Sequence, residues 1–121
     1  MPVDKEQAVY WYRKAAELGH ATAQCDLAVS NRNGEGVAQD HGQAAYWYEK
    51  AAAQGYAKAQ ANLGVCYKNG RGVAQDYARA FYWYEKVAQQ GEAKAQYNLA
   101  VCYAEGNGVS QDLAAAAGWY K

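Results

Sequence analysis

Apolar residues in this chain recur at helical spacing and then stop at a glycine. In one stretch Ala44, Trp47, Tyr48 and Ala51 lie three or four residues apart, which places them on one face of a helix. An aspartate before such a stretch can cap the helix, and a glycine after it can take the left-handed conformation that ends it. This pattern predicts helices at about 4–18, 40–54, 76–90 and 112–121.

A second helical pattern lies between these stretches. Ala59, Leu63, Cys66 and Tyr67 form its apolar stripe, and Gly64 leaves room for a neighbouring helix to approach closely. Each copy ends at a turn that contains two glycines, and a valine just after the turn is expected to hold the loop against the core. The pattern predicts helices at about 21–33, 57–69 and 93–105, which makes about seven helices and no strand.

The two patterns together form a repeat. Trp11, Trp47, Trp83 and Trp119 are each separated by 36 residues, and a period of this length is the signature of a solenoid. We therefore predict an all-α fold, an α-solenoid of antiparallel helix pairs in a single domain. Its units are expected at 1–20, 21–56, 57–92 and 93–121, with the first partial, the last incomplete, and both ends cut.

The aromatic residues of the repeat are expected to divide between core and surface. The helical spacing predicts that one set is buried, namely Trp11, Trp47, Trp83, Tyr12, Tyr48 and Tyr84. A second set lies about 100° round the helix and is expected to be half exposed on the convex side, namely Tyr10, Tyr46 and Tyr82. Exposed tyrosines of this kind suit either an interface or packing between helices.

Composition and charge narrow the function. The 121 residues are 51% hydrophobic and 20% charged, which is typical of a folded domain. The formal net charge is zero, which disfavours nucleic acid as a partner. No apolar run approaches the roughly 18 residues that span a bilayer, and the N-terminus lacks a signal-like segment, so we expect a soluble chain without membrane insertion, with the cytoplasm favoured.

Catalytic and metal-binding motifs are weak. The chain has three cysteines, Cys25, Cys66 and Cys102, without a C-x-x-C pair, so we predict buried free thiols and neither a disulfide framework nor a zinc cage. His20 and His41 are the two histidines, and neither lies in a recognisable nucleophile or metal motif. The sequence therefore predicts that the protein is not an enzyme and binds no metal or cofactor.

Three blocks in register resemble a known family. They read A-x-A-Q-x-N-L-G-x-x-Y, N-G-x-G-V-x-Q-D and A-x-x-W-Y-x-K-A-A, as at 57–67, 69–76 and 44–52. These blocks resemble the Sel1-like repeat, a relative of the tetratricopeptide repeat. The resemblance implies a right-handed superhelix that acts as a scaffold or adaptor for a protein or peptide partner.

Two other functions remain open. One branch of this family is cysteine-rich and is linked to penicillin-type ligands, so a small enzyme or ligand-binding protein is one alternative. Ala52 and Gln60 occupy the positions where that branch is expected to have cysteines. The other alternative is a structural fragment that self-assembles, because the terminal helices are expected to leave apolar surface exposed.

The resemblance also implies where a partner binds. In the related tetratricopeptide fold the first helices of each pair line a concave groove, and this stripe is mildly basic here. Transferring the groove positions gives the candidate partner-binding residues Arg32, Lys58, Asn62, Val65, Lys68, Asn69, Lys94, Tyr97, Asn98 and Val101. An alternative for Asn62 and Asn98 is a structural role, in which each side chain bonds a neighbouring backbone.

The resemblance also suggests a specific form of peptide binding. Some tetratricopeptide domains hold the C-terminal carboxylate of a peptide with basic and asparagine side chains. Asn62 and Lys94 match those positions, whereas Cys25, Val29 and Asn98 do not. A complete clamp of that type is therefore not expected.

Overall fold

Five helices follow one another in the computed structural model, which describes residues 4–91, 96–97 and 99–101. They are α1 (Lys5–Glu17), α2 (Ala21–Asn33), α3 (His41–Ala53), α4 (Ala57–Asn69) and α5 (Tyr77–Ala88). Each helix packs against the next, and the described residues contain no strand. These helices confirm the predicted bounds within two residues. The predicted helix 93–105 is only partly described, and 112–121 lies outside the described residues.

The predicted helix caps are confirmed. Asp4, Asp40 and Asp76 each accept a hydrogen bond from the backbone N–H three residues later, at 3.0, 3.0 and 3.1 Å. These bonds satisfy N–H groups that have no partner inside the helix. Gly19 follows α1 with a φ of 91°, a conformation that residues with a side chain rarely adopt.

The loop after each second-pattern helix contacts the start of an earlier helix. A Cβ on Gly72 would overlap the backbone carbonyl of His41, and a Cβ on Gly36 would overlap that of Lys5. Glycine is therefore required at these two positions because the loop backbone lies directly against the first turn of α3 or α1. This contact fixes Arg71, the residue before Gly72, near the N-terminus of α3.

The core consists of large buried side chains surrounded by alanine. Tyr48, Leu27 and Leu63 are fully buried, and Cys25 and Cys66 are buried free thiols, as predicted. Gln24 and Gln60 are also buried, and each donates a 3.1 Å hydrogen bond to a backbone carbonyl at the end of the preceding helix. No described helix has the length and apolar character needed to cross a membrane.

One prediction about the aromatic residues is wrong. Trp11 is 63% exposed, whereas its equivalent Trp47 is 7% exposed. The reason is that no described helix packs on the outer side of α1. Trp11 and Trp47 are therefore equivalent in sequence but have different neighbours in the structure. Tyr48 and Tyr84 are buried as predicted, while Tyr12 and Trp83 are half-buried.

The second aromatic set is confirmed as half exposed. Tyr10, Tyr46 and Tyr82 are exposed by 51%, 50% and 52%. In each unit the ammonium group of the lysine four residues later lies 5.2 to 5.5 Å from the tyrosine ring centroid, a cation–π distance. The result is a regular row of tyrosine and lysine on one surface of the chain.

Candidate functional site

Two cavities lie one repeat apart along the helices. The first cavity, of about 260 Å³, is lined by Lys5, Ala8, Tyr12, Asp26, Val29, Ser30, Glu35 and Lys58. The second cavity, of about 290 Å³, is lined by Arg32, Asn33, His41, Ala44, Tyr48, Asn62, Val65, Cys66 and Arg71. Seven residues of the first have a counterpart 36 positions later in the second, so the same concave feature is built twice with different side chains.

The structure brings several candidate groove residues together. Arg32, Asn62 and Val65 line the second cavity, and Lys58 lines the first. At the end of α4, Lys68 is half-buried and Asn69 is exposed, and both lie outside these two cavities.

The remaining candidates belong to the third unit. Tyr97 is 58% exposed and Val101 is half-buried. Lys94 and Asn98 lie outside the described residues. Whether any of the ten candidates contacts a partner remains a prediction.

Arg32 connects α2 to α4 inside the second cavity. Its Nη1 donates to Asn62 Oδ1 at 3.4 Å, and its Nε donates to Asn33 Oδ1 at 3.2 Å. Among the described residues, Asn62 therefore bonds a side chain of the neighbouring unit and not a neighbouring backbone group. These two bonds fix the guanidinium plane and use two of its five N–H groups.

Tyr48 lines the second cavity, and its hydroxyl is unpaired among the described residues. Its side chain is fully buried. Burial raises the pKa of Tyr48, while Arg32 lowers it by a smaller amount. The hydroxyl therefore remains a proton donor at neutral pH and lies within electrostatic range of the guanidinium of Arg32.

The two cavities differ in charge. In the first, Lys5 Nζ pairs with Glu35 Oε2 at 3.3 Å, and Asp26 and Lys58 add one further charge of each sign. A hydrogen bond from Asn33, followed by the Lys5 contact, lowers the pKa of Glu35. The first cavity is therefore balanced in charge by its own residues.

The second cavity is basic. Arg32 and Arg71 line it, and the described lining includes no carboxylate. Both arginines lower the pKa of the neighbouring Cys66 thiol, although burial raises that pKa more strongly. Arg71 replaces Glu35 at the equivalent position, and Asn62 replaces Asp26, so two substitutions within the repeat remove both acids.

Sequence reasoning did not select Tyr48, His41 or Arg71 as site residues. The repeat pattern predicts Tyr48 as a core residue, which is correct for its ring, and the other two lie outside the groove positions that the resemblance implies. A signal was nevertheless present. Arg71 differs in charge from both of its equivalents, Glu35 and Asn107, while Asn62 differs in charge from Asp26 and is the same as Asn98. Such positions are where one unit can differ in what it binds.

The described residues offer little for catalysis. They contain no group of three or more histidine, cysteine, aspartate or glutamate side chains placed to hold a metal. His20 Nδ1 accepts a hydrogen bond from Ala23 N at 3.4 Å and so caps α2. Burial raises the pKa of both Cys25 and Cys66, which keeps these thiols protonated and weakly nucleophilic.

Comparison with known proteins identifies relatives of the whole described fold. The family described as Sel1 repeat matches residues 1–20, 21–56, 57–92 and 93–121. The crystal structure of c5321, a protective antigen present in uropathogenic Escherichia coli strains that displays an SLR fold, has 44% sequence identity and a TM-score of 0.94. That match covers 97% of this chain and 25% of c5321. No curated protein matches the chain.

Two further solved structures are similar. A Sel1 repeat protein from Oxalobacter formigenes has 38% identity and a TM-score of 0.91, covering 95% of this chain and 47% of its own. Cysteine rich protein B from Helicobacter pylori has 26% identity and a TM-score of 0.71, covering 96% of this chain and 83% of its own. This chain thus spans a quarter of the E. coli protein and about half of the Oxalobacter protein.

Proposed function

The chain belongs to the Sel1 repeat family, and on that premise we propose that it is a non-catalytic scaffold that binds a protein or peptide partner in a groove formed by α2 and α4. Repeats of this family commonly mediate interactions between proteins. A solenoid suits this role because stacked units present one long surface on which a partner segment can lie.

One observation carries the proposal. The two cavities repeat at the 36-residue period, and α2 and α4 both contribute to each of them. Val29 and Asp26 of α2 line the first, and their equivalents Val65 and Asn62 of α4 line the second. Lys58 of α4 belongs to the first cavity and precedes Asn62 by one helical turn. A peptide laid across α2 and α4 would therefore meet successive cavities at regular intervals.

The side chains favour a partner with acidic and apolar residues. Lys58 and Lys68 supply positive charge on α4, with Lys94 expected to extend it, and Val65, Tyr97 and Val101 supply apolar contact. Charges at the rim of an interface affect association rate and salt dependence more than affinity. Tyr97 is the expected anchor, because exposed tyrosines are frequent hot spots.

Peptide display on the immobilised chain tests the proposal. Selected peptides are then titrated against the wild type and against Tyr97→Ala, Lys58→Glu and Lys94→Glu. We expect Tyr97→Ala to weaken binding by about 2 kcal/mol or more, and the lysine reversals to remove the salt dependence. Tyr46→Ala and Tyr82→Ala on the tyrosine and lysine row are the matched controls and should bind as wild type.

The outcome separates the two surfaces. If the groove variants bind as wild type while a folded Tyr46→Ala or Tyr82→Ala loses binding, the functional surface is the row of half-exposed tyrosines instead. If display selects no peptide that binds either surface, the scaffold proposal as a whole is contradicted.

A second candidate function is self-assembly. It is favoured by the exposed apolar residues of α1 and the turn after it, where Trp11 is 63% exposed and Leu18 is 88% exposed. In the following unit the equivalent tryptophan is buried, so contact with a second copy would give Trp11 the burial that the repeat gives Trp47. Terminal surfaces of this kind in a solenoid can join head to tail or exchange helices.

A further inference from the structure

The second cavity has features of a preformed site for an anion. We propose that it binds the side-chain carboxylate of one acidic residue, glutamate or aspartate, within the partner segment. This inference rests on the proposed function of the groove and adds the chemistry of one specific contact. The residues that would bind the carboxylate are Arg32, Tyr48, Asn62 and Arg71.

The charge of the cavity supports an anion. Arg32 and Arg71 approach it from α2 and from the loop after α4, and no described lining residue is acidic. Glu35, whose field reaches Arg32, is already paired with Lys5 at 3.3 Å and lines the first cavity. A planar guanidinium group can donate two parallel hydrogen bonds to a carboxylate. This geometry favours a carboxylate over a monatomic anion.

The guanidinium of Arg32 and the backbone of Arg71 are held in place before any ligand arrives. Arg32 is oriented by its hydrogen bonds to Asn33 and Asn62 at 3.2 and 3.4 Å. Arg71 lies between Gly70 and Gly72, in a loop whose backbone lies against the carbonyl of His41. A binding site that is ordered in advance pays less conformational entropy when the ligand binds.

Tyr48 gives a second and independent indication of a ligand. Its side chain is fully buried, yet its hydroxyl has no hydrogen-bond partner among the described residues. A buried polar group of this kind is costly unless something satisfies it. An oxygen of a bound carboxylate would accept the hydroxyl proton and remove that cost.

The walls and size of the cavity suit an amino-acid side chain. Ala44, Val65 and the Tyr48 ring line it beside the arginines, so they can pack against the methylene groups of a glutamate or aspartate. The volume of about 290 Å³ lies just below the range of roughly 300–1,000 Å³ found for small-molecule sites. One side chain fits this space better than a large cofactor.

The basic groups of this site differ from those of a clamp for a peptide C-terminus, although Asn62 is common to both. The positions of that clamp hold Cys25 and Val29 on α2, whereas the basic groups here are Arg32 at the end of α2 and Arg71 in a loop. The expected ligand is therefore an internal acidic side chain. A peptide with an amidated C-terminus should bind as well as the free acid.

Acetate is the simplest probe of the cavity. In low-salt buffer, titration with acetate should shift the side-chain N–H signals of Arg32, Arg71 and Asn62 in a saturable way in a ¹⁵N-resolved spectrum. Acetamide, which has the same shape without the charge, should leave them unchanged. The first cavity is an internal control, and the signals of Lys58 and its neighbours should not saturate.

Two substitutions copy residues that the preceding unit already uses. The Asn62→Asp and Arg71→Glu double variant reproduces Asp26 and Glu35 in the second cavity, so the repeat should accept both residues and fold. We expect acetate affinity to fall at least about tenfold, since the cavity loses one cation and gains two anions. Tyr48→Phe should lower the affinity for acetate by about tenfold while keeping the ring in the core.

The results that overturn the inference are specific. Equal shifts with acetamide, saturation by inorganic phosphate but not by acetate, or unchanged acetate binding in the folded double variant would each do so. The partner peptides give a further test. If the acidic residues of display-selected groove peptides can be replaced by glutamine without loss of affinity, the inference is wrong while the scaffold function stands. If instead no peptide binds the groove, the scaffold function fails while the acetate titration still decides whether the cavity takes a carboxylate.

Discussion

Gly64 of α4 lies directly against the ring of Tyr84 of α5. A Cβ at Gly64 would come within 2.7 Å of Tyr84 Cε1 and 2.9 Å of Cδ1, which is closer than such atoms can approach. Because Tyr84 is 1% exposed, its ring has little room to move away. This contact sets the spacing between α4 and α5, and it explains why the sequence places glycine inside a helix.

The first prediction follows from that contact. Gly64→Ala should destabilise the chain by about 1 kcal/mol, because the cost of overpacking exceeds the gain in helix propensity. Urea unfolding measures the change. Gly42→Ala is the control, since Gly42 is exposed in the first turn of α3, and its effect should stay within about 0.5 kcal/mol. A stabilised Gly64→Ala variant would show that α5 can shift freely away from α4.

The second prediction concerns the difference between units. Tyr67 of α4 is buried, and its equivalent in α2 is the buried Asn31, which bonds the carbonyl of Leu27 at 3.1 Å. Tyr67→Ala should cost roughly 3–5 kcal/mol, as for other large aromatic deletions in cores. The half-exposed Tyr46→Ala should cost much less.

The same difference predicts an order of local opening. Amide hydrogen exchange should protect residues 57–69 better than residues 21–33, because α2 lacks the aromatic side chain that anchors α4. Stronger protection of α2 would mean that the hydrogen bonds of Asn31 and Ser30 compensate for the missing ring.

The third prediction separates stability from binding at Tyr48. The buried hydroxyl has no described partner, so Tyr48→Phe should raise the free energy of unfolding by about 1 kcal/mol even though it is expected to weaken carboxylate binding. Groups that function in a site are often not optimal for stability. A destabilised Tyr48→Phe variant would indicate that the hydroxyl has a structural partner.

Tyr48 also predicts a dependence on alkaline pH. Burial raises its pKa in the folded state above the value of about 10 expected for an unfolded tyrosine. Ionisation of Tyr48 therefore leaves the unfolding free energy unchanged below about pH 10 and lowers it as the pH rises further, because only the unfolded state then releases the proton. Unfolding free energies above about pH 10 should fall less steeply for Tyr48→Phe than for the wild type or for Tyr46→Phe.

The fourth prediction tests self-assembly. Exposed Trp11 and Leu18 should make the chain associate as its concentration approaches the millimolar range, which sedimentation velocity can measure. Replacing both residues with glutamine should reduce association, while Tyr46→Gln should not. A wild type that stays strictly monomeric at these concentrations would contradict the prediction.

The sequence predicted the helices well because each one carries its own start and stop signals. The caps at Asp4, Asp40 and Asp76 and the glycine at Gly19 act within a few residues, so they can be read locally. The burial of Trp11 was predicted wrongly because equivalence within the repeat does not supply equivalent neighbours. Burial is a property of the packed structure, and sequence position alone does not determine it.

The candidate site was predicted only in part for a related reason. Arg32, Asn62 and Val65 are among the groove positions that the resemblance to the tetratricopeptide fold implies, and they meet in one cavity. Arg71 reaches this cavity because its loop contacts the start of α3. Tyr48 reaches it from the core, where its side chain is fully buried. These are contacts between elements, which helical periodicity does not reveal.

Chemical-shift mapping of a display-selected peptide on the ¹⁵N-labelled chain tests the proposed groove most directly. We expect the largest backbone and side-chain shifts on α2 and α4, centred on Lys58, Asn62 and Val65, and at Tyr97, the expected anchor. The shifts at Tyr10, Tyr46 and Tyr82 should be small. Shifts concentrated on that row of tyrosines, with α2 and α4 unchanged, would contradict the proposal that the groove is the functional surface.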